Sequence, residues 1–148
     1  MKERLSFDTS VLVAALVLEH PHHAAAENLL NDVFANKKQQ GVICSHALAE
    51  VYSVLTRAPA PLLIYPAEVW QMLETGILPH VELVSLTGTE YREAVAECAR
   101  NNWAGGRIYD LMHLRAAQKS ACRRLYTFNV KHFRSLAPAS WQANIVAP

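Results

Sequence analysis

Short apolar segments alternate with amphipathic stretches along the whole chain, and that alternation leaves few folds open. Arg4–Phe7, Gly41–Cys44, Val81–Leu86, Leu125–Thr127 and Ile145–Val146 each read as a brief strand. Helical spacing fills the gaps: Val11–Leu18, then Ala24, Leu29, Leu30, Val33 and Phe34, then Ala47, Leu48, Val51, Val54 and Leu55. Further helices are expected over Ala67–Ile77 behind Pro66, over Thr87–Arg100, and over Arg107–Ser120. Strands this short and apolar, separated by helices, belong to a parallel sheet covered on both faces. Ser45 and Thr87 or Thr89 are the expected helix caps, and Asn129 the site of a turn. Ala58-Pro59-Ala60-Pro61 is the clearest break but too short for a domain boundary, so residues 1–148 read as one domain.

Composition excludes several classes. Of the 148 residues 51% are apolar and 18% charged, which supports a real core and rules out a disordered chain. Charged or polar residues interrupt every apolar run before it reaches membrane-spanning length. Met1–Leu5 leads straight into a strand, without the apolar region of a secretory signal. Cys44, Cys98 and Cys122 are odd in number and widely spaced, so each reads as a small core residue rather than part of a disulfide framework or zinc ribbon. A cytoplasmic, reduced protein with no membrane partner is the expectation.

The near-neutral total of +1 conceals a division. Residues 98–148 hold eight Lys and Arg against the single acid Asp110, a net of +7, while residues 1–97 hold six against twelve, a net of −6. A lone carboxylate in a basic field gains meaning if other acids reach it from the first half. Asp8, at the end of the first strand, and Glu50, within an apolar helical segment, are the candidates. Sites in parallel sheets form at the carboxyl ends of strands, where Asp8 and Asn129 fall. Three acids meeting beside cations suit a divalent metal and a phosphodiester.

Each of these residues also has a plainer reading. Asp8 reads equally as a helix cap, although Thr9 or Ser10 in that role would free it. Glu50 alone reads as a solvated helix position paired with Arg57 at i+7. Asp110 reads as one half of a surface pair with Arg107, worth about 0–1 kcal/mol. Gly105-Gly106 just upstream would let the backbone approach a ligand. His113, one turn after Asp110, reads as a packing histidine. His20, His22 and His23 read as the exposed start of a helix, since no second His or Cys set completes a zinc site.

Taken together, four segments say more. Phe7-Asp8-Thr9-Ser10-Val11-Leu12, then Glu50 within Ser45–Tyr52, then Gly105–Asp110 with His113, then Leu125–Phe133 resemble, in order and spacing, the PIN-domain nucleases. The likeness is greatest to the VapC toxins of bacterial type II toxin–antitoxin modules, and it runs from the first strand to about Phe133. It implies a three-layer α/β/α sandwich and an Mg²⁺- or Mn²⁺-dependent endoribonuclease that cuts RNA with metal-activated water. It also implies a homodimer and a cognate VapB-like antitoxin whose C-terminal segment lies across the acidic site.

Carried over by position, Asp8, Glu50 and Asp110 match the family's three acids, and Thr127 its hydroxyl residue beside the site. Asn129 stands where many members have a fourth Asp; its amide carbonyl can still ligate, but it brings no charge. Asp8 would then be the principal metal ligand, Glu50 a ligand directly or through water, and Asp110 the group orienting the attacking water. Arg107 would hold the scissile phosphate as a bidentate donor. Arg115, Lys131 and Arg134 are candidates for tracking the RNA backbone, and Trp103 or Tyr109 for stacking on a base. Two other classes compete: a catalytically silent PIN-like RNA-binding or scaffold module, and a phosphatase with Asp8 as covalent nucleophile. The phosphatase usually needs a second Asp two residues on, where this chain has Ser10.

Overall fold

The computed structural model describes residues 1–148. Five short strands form one sheet: β1 (Glu3–Phe7), β2 (Gln39–Cys44), β3 (Val81–Val84), β4 (Arg124–Tyr126) and β5 (Ile145–Val146). They lie in the order β3-β2-β1-β4-β5 and every pairing is parallel. Parallel neighbours require crossovers, and helices supply them: α1 (Thr9–Leu16), α2 (His23–Ala35), α3 (Ser45–Thr56), α4 (Pro66–Gly76), α5 (Gly88–Arg100) and α6 (Arg107–Lys119). The chain between β4 and β5 forms two short helices, α7 (Val130–Leu136) and α8 (Ala139–Gln142). Sequence periodicity left α7 as a turn at Asn129, because seven residues are too few for a helical stripe to stand out.

Side-chain alternation along the strands builds two cores. Leu5, Phe7 and Ile43 join α1–α4 on one face, while Val42, Cys44 and Leu125 join α5, α6 and α7 on the other. Three layers result, helices–sheet–helices, as expected. All three cysteines are buried, as small core residues should be. No helix is long and apolar enough to cross a membrane.

One cap differs from expectation and one agrees with it. Ser45 begins α3 rather than capping it; Cys44 holds the cap position and the Ser45 hydroxyl bonds that of Ser85 at 2.7 Å. At α5 the Thr87 hydroxyl accepts from the Glu90 N–H, and the Glu90 carboxylate accepts from the Thr87 N–H, a complete capping box. Gly105 turns the chain into α6 at φ +62°, and open space surrounds the Cα of both Gly105 and Gly106, so these glycines shape the turn.

The charge division also resolves differently. Arg115 pairs with Glu97, Lys119 with Glu90, and Arg123 with Glu3, so cations of the last third are matched to acids of the first two. Three of the eight cations of residues 98–148 are thus paired with acids.

Candidate active site

β1 and β4 are neighbours whose following helices leave in opposite directions along the sheet, which makes their carboxyl ends the natural cleft of this topology. Phe7 ends β1 fully buried and stacked on Tyr126 of β4, with ring centroids 5.9 Å apart. The next residue on each strand therefore leaves the sheet at a fixed point.

Asp8 is that residue on β1, and it is only 3% exposed. Its Oδ1 accepts from the Val11 N–H at 3.2 Å and from the Ser10 hydroxyl at 2.7 Å, and its Oδ2 accepts from the Thr127 hydroxyl at 2.7 Å. Asp8 thus caps α1 itself, one of the two readings open for it, and neither Thr9 nor Ser10 takes that role. One carboxylate starts the helix and lines the cleft.

Thr127 and Ser10 complete a stitch across the two strand ends. The Thr127 hydroxyl accepts from the Asn129 N–H at 2.9 Å, and the Ser10 hydroxyl from the Phe128 N–H at 3.1 Å. Buried Thr127 is therefore a fixed support for Asp8. Asn129 sits at the N-cap position of α7 without a side-chain cap bond, and its amide faces the cleft.

Glu50 enters from α3. The expected pairing with Arg57 does not form; the Arg57 Nε donates to the Ser53 carbonyl at 3.2 Å instead. Glu50 Oε1 lies 2.7 Å from His113 Nε2 and 3.4 Å from His46 Nε2. His113, 2% exposed, also lies 3.3 Å from the Thr9 hydroxyl, and its Nδ1 is buried without a partner. It is buried, as a packing histidine should be, but its bond to Glu50 gives it a place at the site. Donation to Glu50 puts the proton on Nε2.

Asp110 lies in the first turn of α6, half-buried, and makes no pair with Arg107. The Arg107 guanidinium instead donates to the Ser135 hydroxyl at 2.8 Å and lies 5.5 Å from the Trp103 ring centroid. It stands on the rim and does not line the cleft. Arg115 bonds Glu97 and Gln118, and exposed Arg134 donates to the Ile145 carbonyl. Lys131 is exposed in the first turn of α7.

A cleft of about 540 Å³ results, with Asp8, Glu50, Asp110, His113, Asn129 and His22 in its lining. Burial pushes the Asp8 carboxyl up, against the pull of the His113 charge and of its hydrogen bonds. Asp110 is raised from 3.8 to about 6, first by burial and then by the neighbouring charges of Asp8 and Glu50, against the opposing pull of His113. Glu50 goes the other way: burial works against ionisation, but the hydrogen bond and charge of His113, with that of His46, together hold it low. The cleft concentrates more negative charge than its own cations balance.

That imbalance fits a cation. No three His, Cys, Asp or Glu side chains close on one point tightly enough to cage a metal unaided. Such an open arrangement suits an ion that keeps several waters and takes a substrate phosphate into its shell, as Mg²⁺ does. Sequence reasoning missed Ser10, and it read His22 and His113 as an exposed helix start and a packing residue. Their signals were polar residues two apart from Asp8 and three apart from Asp110, too common a pattern to single out.

The chain is similar to known proteins in sequence and in fold. The PIN domain family model matches residues 6–137. Ribonuclease VapC27 of Mycobacterium tuberculosis is 38% identical over 122 residues, 82% of each chain. Ribonuclease VapC40 of the same species is 36% identical over 106 residues, 71% of this chain and 72% of that protein. In crystal structures the fold recurs in M. tuberculosis VapC20, a Sarcin-Ricin loop cleaving toxin, at TM-score 0.69 and 18% identity over 88% of this chain and 94% of that one. It recurs again in VapBC2 of Rickettsia felis bound to a promoter DNA fragment, at TM-score 0.66 and 20% identity over 98% and 97%. The chain belongs to the PIN-domain family and, within it, to the VapC ribonucleases.

Proposed function

We propose that this ribonuclease is a toxin that hydrolyses RNA phosphodiester bonds with Mg²⁺ or Mn²⁺ held by Asp8, Glu50 and Asp110. The observation that carries the reading is the convergence of those three carboxylates, from β1, α3 and α6, in one cleft whose charge is not balanced from within. A divalent ion there would acidify a water and neutralise charge developing on the phosphodiester.

The chain's own residues do the remaining work. Thr127, Ser10 and the Val11 N–H fix both oxygens of Asp8, so the first ligand arrives without rotational freedom. His113 holds Glu50, which lines the cleft, by its Oε1. Asp110, in the first turn of α6 beside the other two acids, would orient the attacking water. The Asn129 carbonyl offers a neutral oxygen where a fourth acid would stand, which supports one tightly held ion rather than two. Arg107 serves as a rim cation for phosphate outside the cleft.

An antitoxin partner follows from a second feature. An apolar groove of about 570 Å³ between α1 and α3, lined by Val13, Val17, Val54, Leu55, Pro59 and Leu62, opens onto the acidic cleft beside His20. An amphipathic segment laid in that groove would bring a terminal Lys or Arg to the three acids. A homodimer completes the proposal, and light scattering of the purified chain reads its mass directly.

The testing experiment is cleavage of total cellular RNA by partner-free protein in EDTA, Mg²⁺ and Mn²⁺, with Asp8→Asn as control. Cleavage that requires metal and disappears in the variant is expected. Cleavage persisting in EDTA, or in Asp8→Asn, would refute the metal-acid mechanism. RNA bound but uncut by wild type in every arm would establish the silent scaffold instead.

A further inference from the structure

The opposite end of the sheet has a hollow of its own. It encloses about 490 Å³, within the range of small-ligand sites, about 300–1,000 Å³. Lys2, just before β1, and His80, just before β3, line it with Asn36 and Lys37 from the α2–β2 turn. Lys2 precedes β1 and Asp8 follows it, so this hollow and the acidic cleft lie roughly 20 Å apart along one strand. The exposed His80 ring lies on Phe34, with centroids 4.8 Å apart and planes 17° from parallel. Gly41 keeps Phe34 seated: a Cβ there would come within 3.3 Å of that ring and 3.2 Å of Phe7 and Val81. The one carboxylate in the lining, Glu82, is already matched by Arg4, whereas Lys2 and Lys37 have no carboxylate partner. Two side-chain amides each keep one group free. Asn36 Oδ1 accepts from the Lys38 N–H at 2.9 Å and leaves its NH₂, while Gln40 Nε2 donates to the Gly41 carbonyl at 3.0 Å and leaves its Oε1.

A ring that merely covers the core needs neither two surplus cations nor free amide groups beside it. Two positive charges without acids favour an anion, and a flat ring held in place by a second one favours a planar group. A free donor and a free acceptor alongside suit the polar edge of a base. We propose that this hollow is a second ligand site, separate from the acidic cleft, and that it takes a nucleotide. The base lies on His80, its polar edge meets Asn36 and Gln40, and its phosphate meets Lys2 and Lys37. A free nucleotide and a nucleotide within an RNA strand share that chemistry. Neither requires hydrolysis at Asp8, so the site stands whether or not the chain cuts RNA.

The test titrates AMP, adenosine, inorganic phosphate and the trinucleotide ApApA into the full chain, followed by backbone amide NMR. EDTA is present throughout, so no metal at the acids can recruit the phosphate. AMP should shift the Phe34, Gly41 and His80 amides and bind at least about tenfold tighter than adenosine or phosphate alone. His80→Ala and Lys37→Ala should each weaken AMP binding about tenfold, in line with the worth of a stacked base and of a charged hydrogen bond. His80→Phe should bind AMP as wild type does, which separates stacking from the charge of the imidazole. Asp8→Asn should also bind it normally, which separates this hollow from the acidic cleft. ApApA that shifts the same amides no more tightly than AMP would identify free nucleotide as the ligand. Binding of ApApA at least about tenfold tighter would identify an RNA strand. Shifts confined to Asp8, Glu50 and Asp110, AMP bound no tighter than phosphate, or affinity unchanged in both alanine variants would each overturn the site. So would a chain that binds neither AMP nor ApApA.

Discussion

The two ends of the sheet handle charge in opposite ways. At the amino-terminal edge, Arg4 pairs with Glu82 at 2.8 Å, Arg123 with Glu3 at 2.7 Å, and Gln39 donates to the same Glu3 at 2.8 Å, so each carboxylate has a cation or amide of its own. At the carboxyl-terminal edge three carboxylates gather with only histidines for company, and Asp110 is lifted to about 6 in part by its acidic neighbours. Both edges consist of the same kind of junction between strand and helix. One is arranged so that folding satisfies its acids; the other crowds carboxylates, which a proton or a bound cation would relieve. Carboxylates pushed toward protonation by burial and by one another are the kind of arrangement that candidate sites in such sheets show.

The largest effect should come from changing that surplus. Asp110→Asn and Asp8→Asn each lower kcat/KM for RNA cleavage by at least about 100-fold, since a lost ligand should cost more than a lost supporting hydrogen bond. Asn still caps a helix well, so Asp8→Asn should retain its circular dichroism spectrum. Activity within tenfold of wild type in either variant would erase the distinction between the edges.

Next in size is the support beneath Asp8. Thr127→Val keeps the buried shape but removes the hydroxyl that donates to Oδ2, and should weaken Mn²⁺ binding by about 10- to 100-fold. Unchanged affinity by calorimetry would make Thr127 a packing residue only.

Stability should move the other way. The folded Asp110 keeps its proton up to about pH 6, whereas the unfolded chain releases it from 3.8 upward. Folding stability in EDTA therefore falls as pH rises through that window, and the loss is complete above it. Asp110→Asn removes the penalty. Allowing for solvent screening of this half-exposed group, the variant should gain about 1 kcal/mol at pH 7.5, a rise in Tm of about 2–4 °C. A lower Tm would mean that Asp110 is satisfied within the protein.

The smallest effect belongs to the paired edge. Glu82→Gln breaks an exposed ion pair worth about 0–1 kcal/mol and should leave cleavage rates unchanged. A catalytic defect there would show that the edges are not independent.

Much of this was legible in the chain. β1 through β4 and α1 through α6 carry enough apolar residues in phase to declare themselves, and the strand-to-helix junctions placed Asp8 and Asn129 at one edge. What could not be read was which partner each polar group would choose. Glu50 sits 63 residues from His113 in sequence, so their bond depends on α3 and α6 meeting over the sheet, while Arg57, its neighbour along the helix, turned elsewhere. Arg115 and Arg134 looked like free cations because their partners, Glu97 and the Ile145 carbonyl, are brought to them only by tertiary packing. Asp8 could be read as a cap or as a ligand; the structure uses it in one position that permits both. Pairing across distance is the information that local pattern lacks.

Direct titration of metal into the site reads the unbalanced charge most plainly. Calorimetry of Mn²⁺ into wild type, Asp8→Asn and Asp110→Asn at pH 7.5 should show one ion bound by wild type and at least tenfold weaker binding by each variant. Equal binding by all three, or none by wild type with RNA present, would mean that the three carboxylates do not hold the catalytic cation.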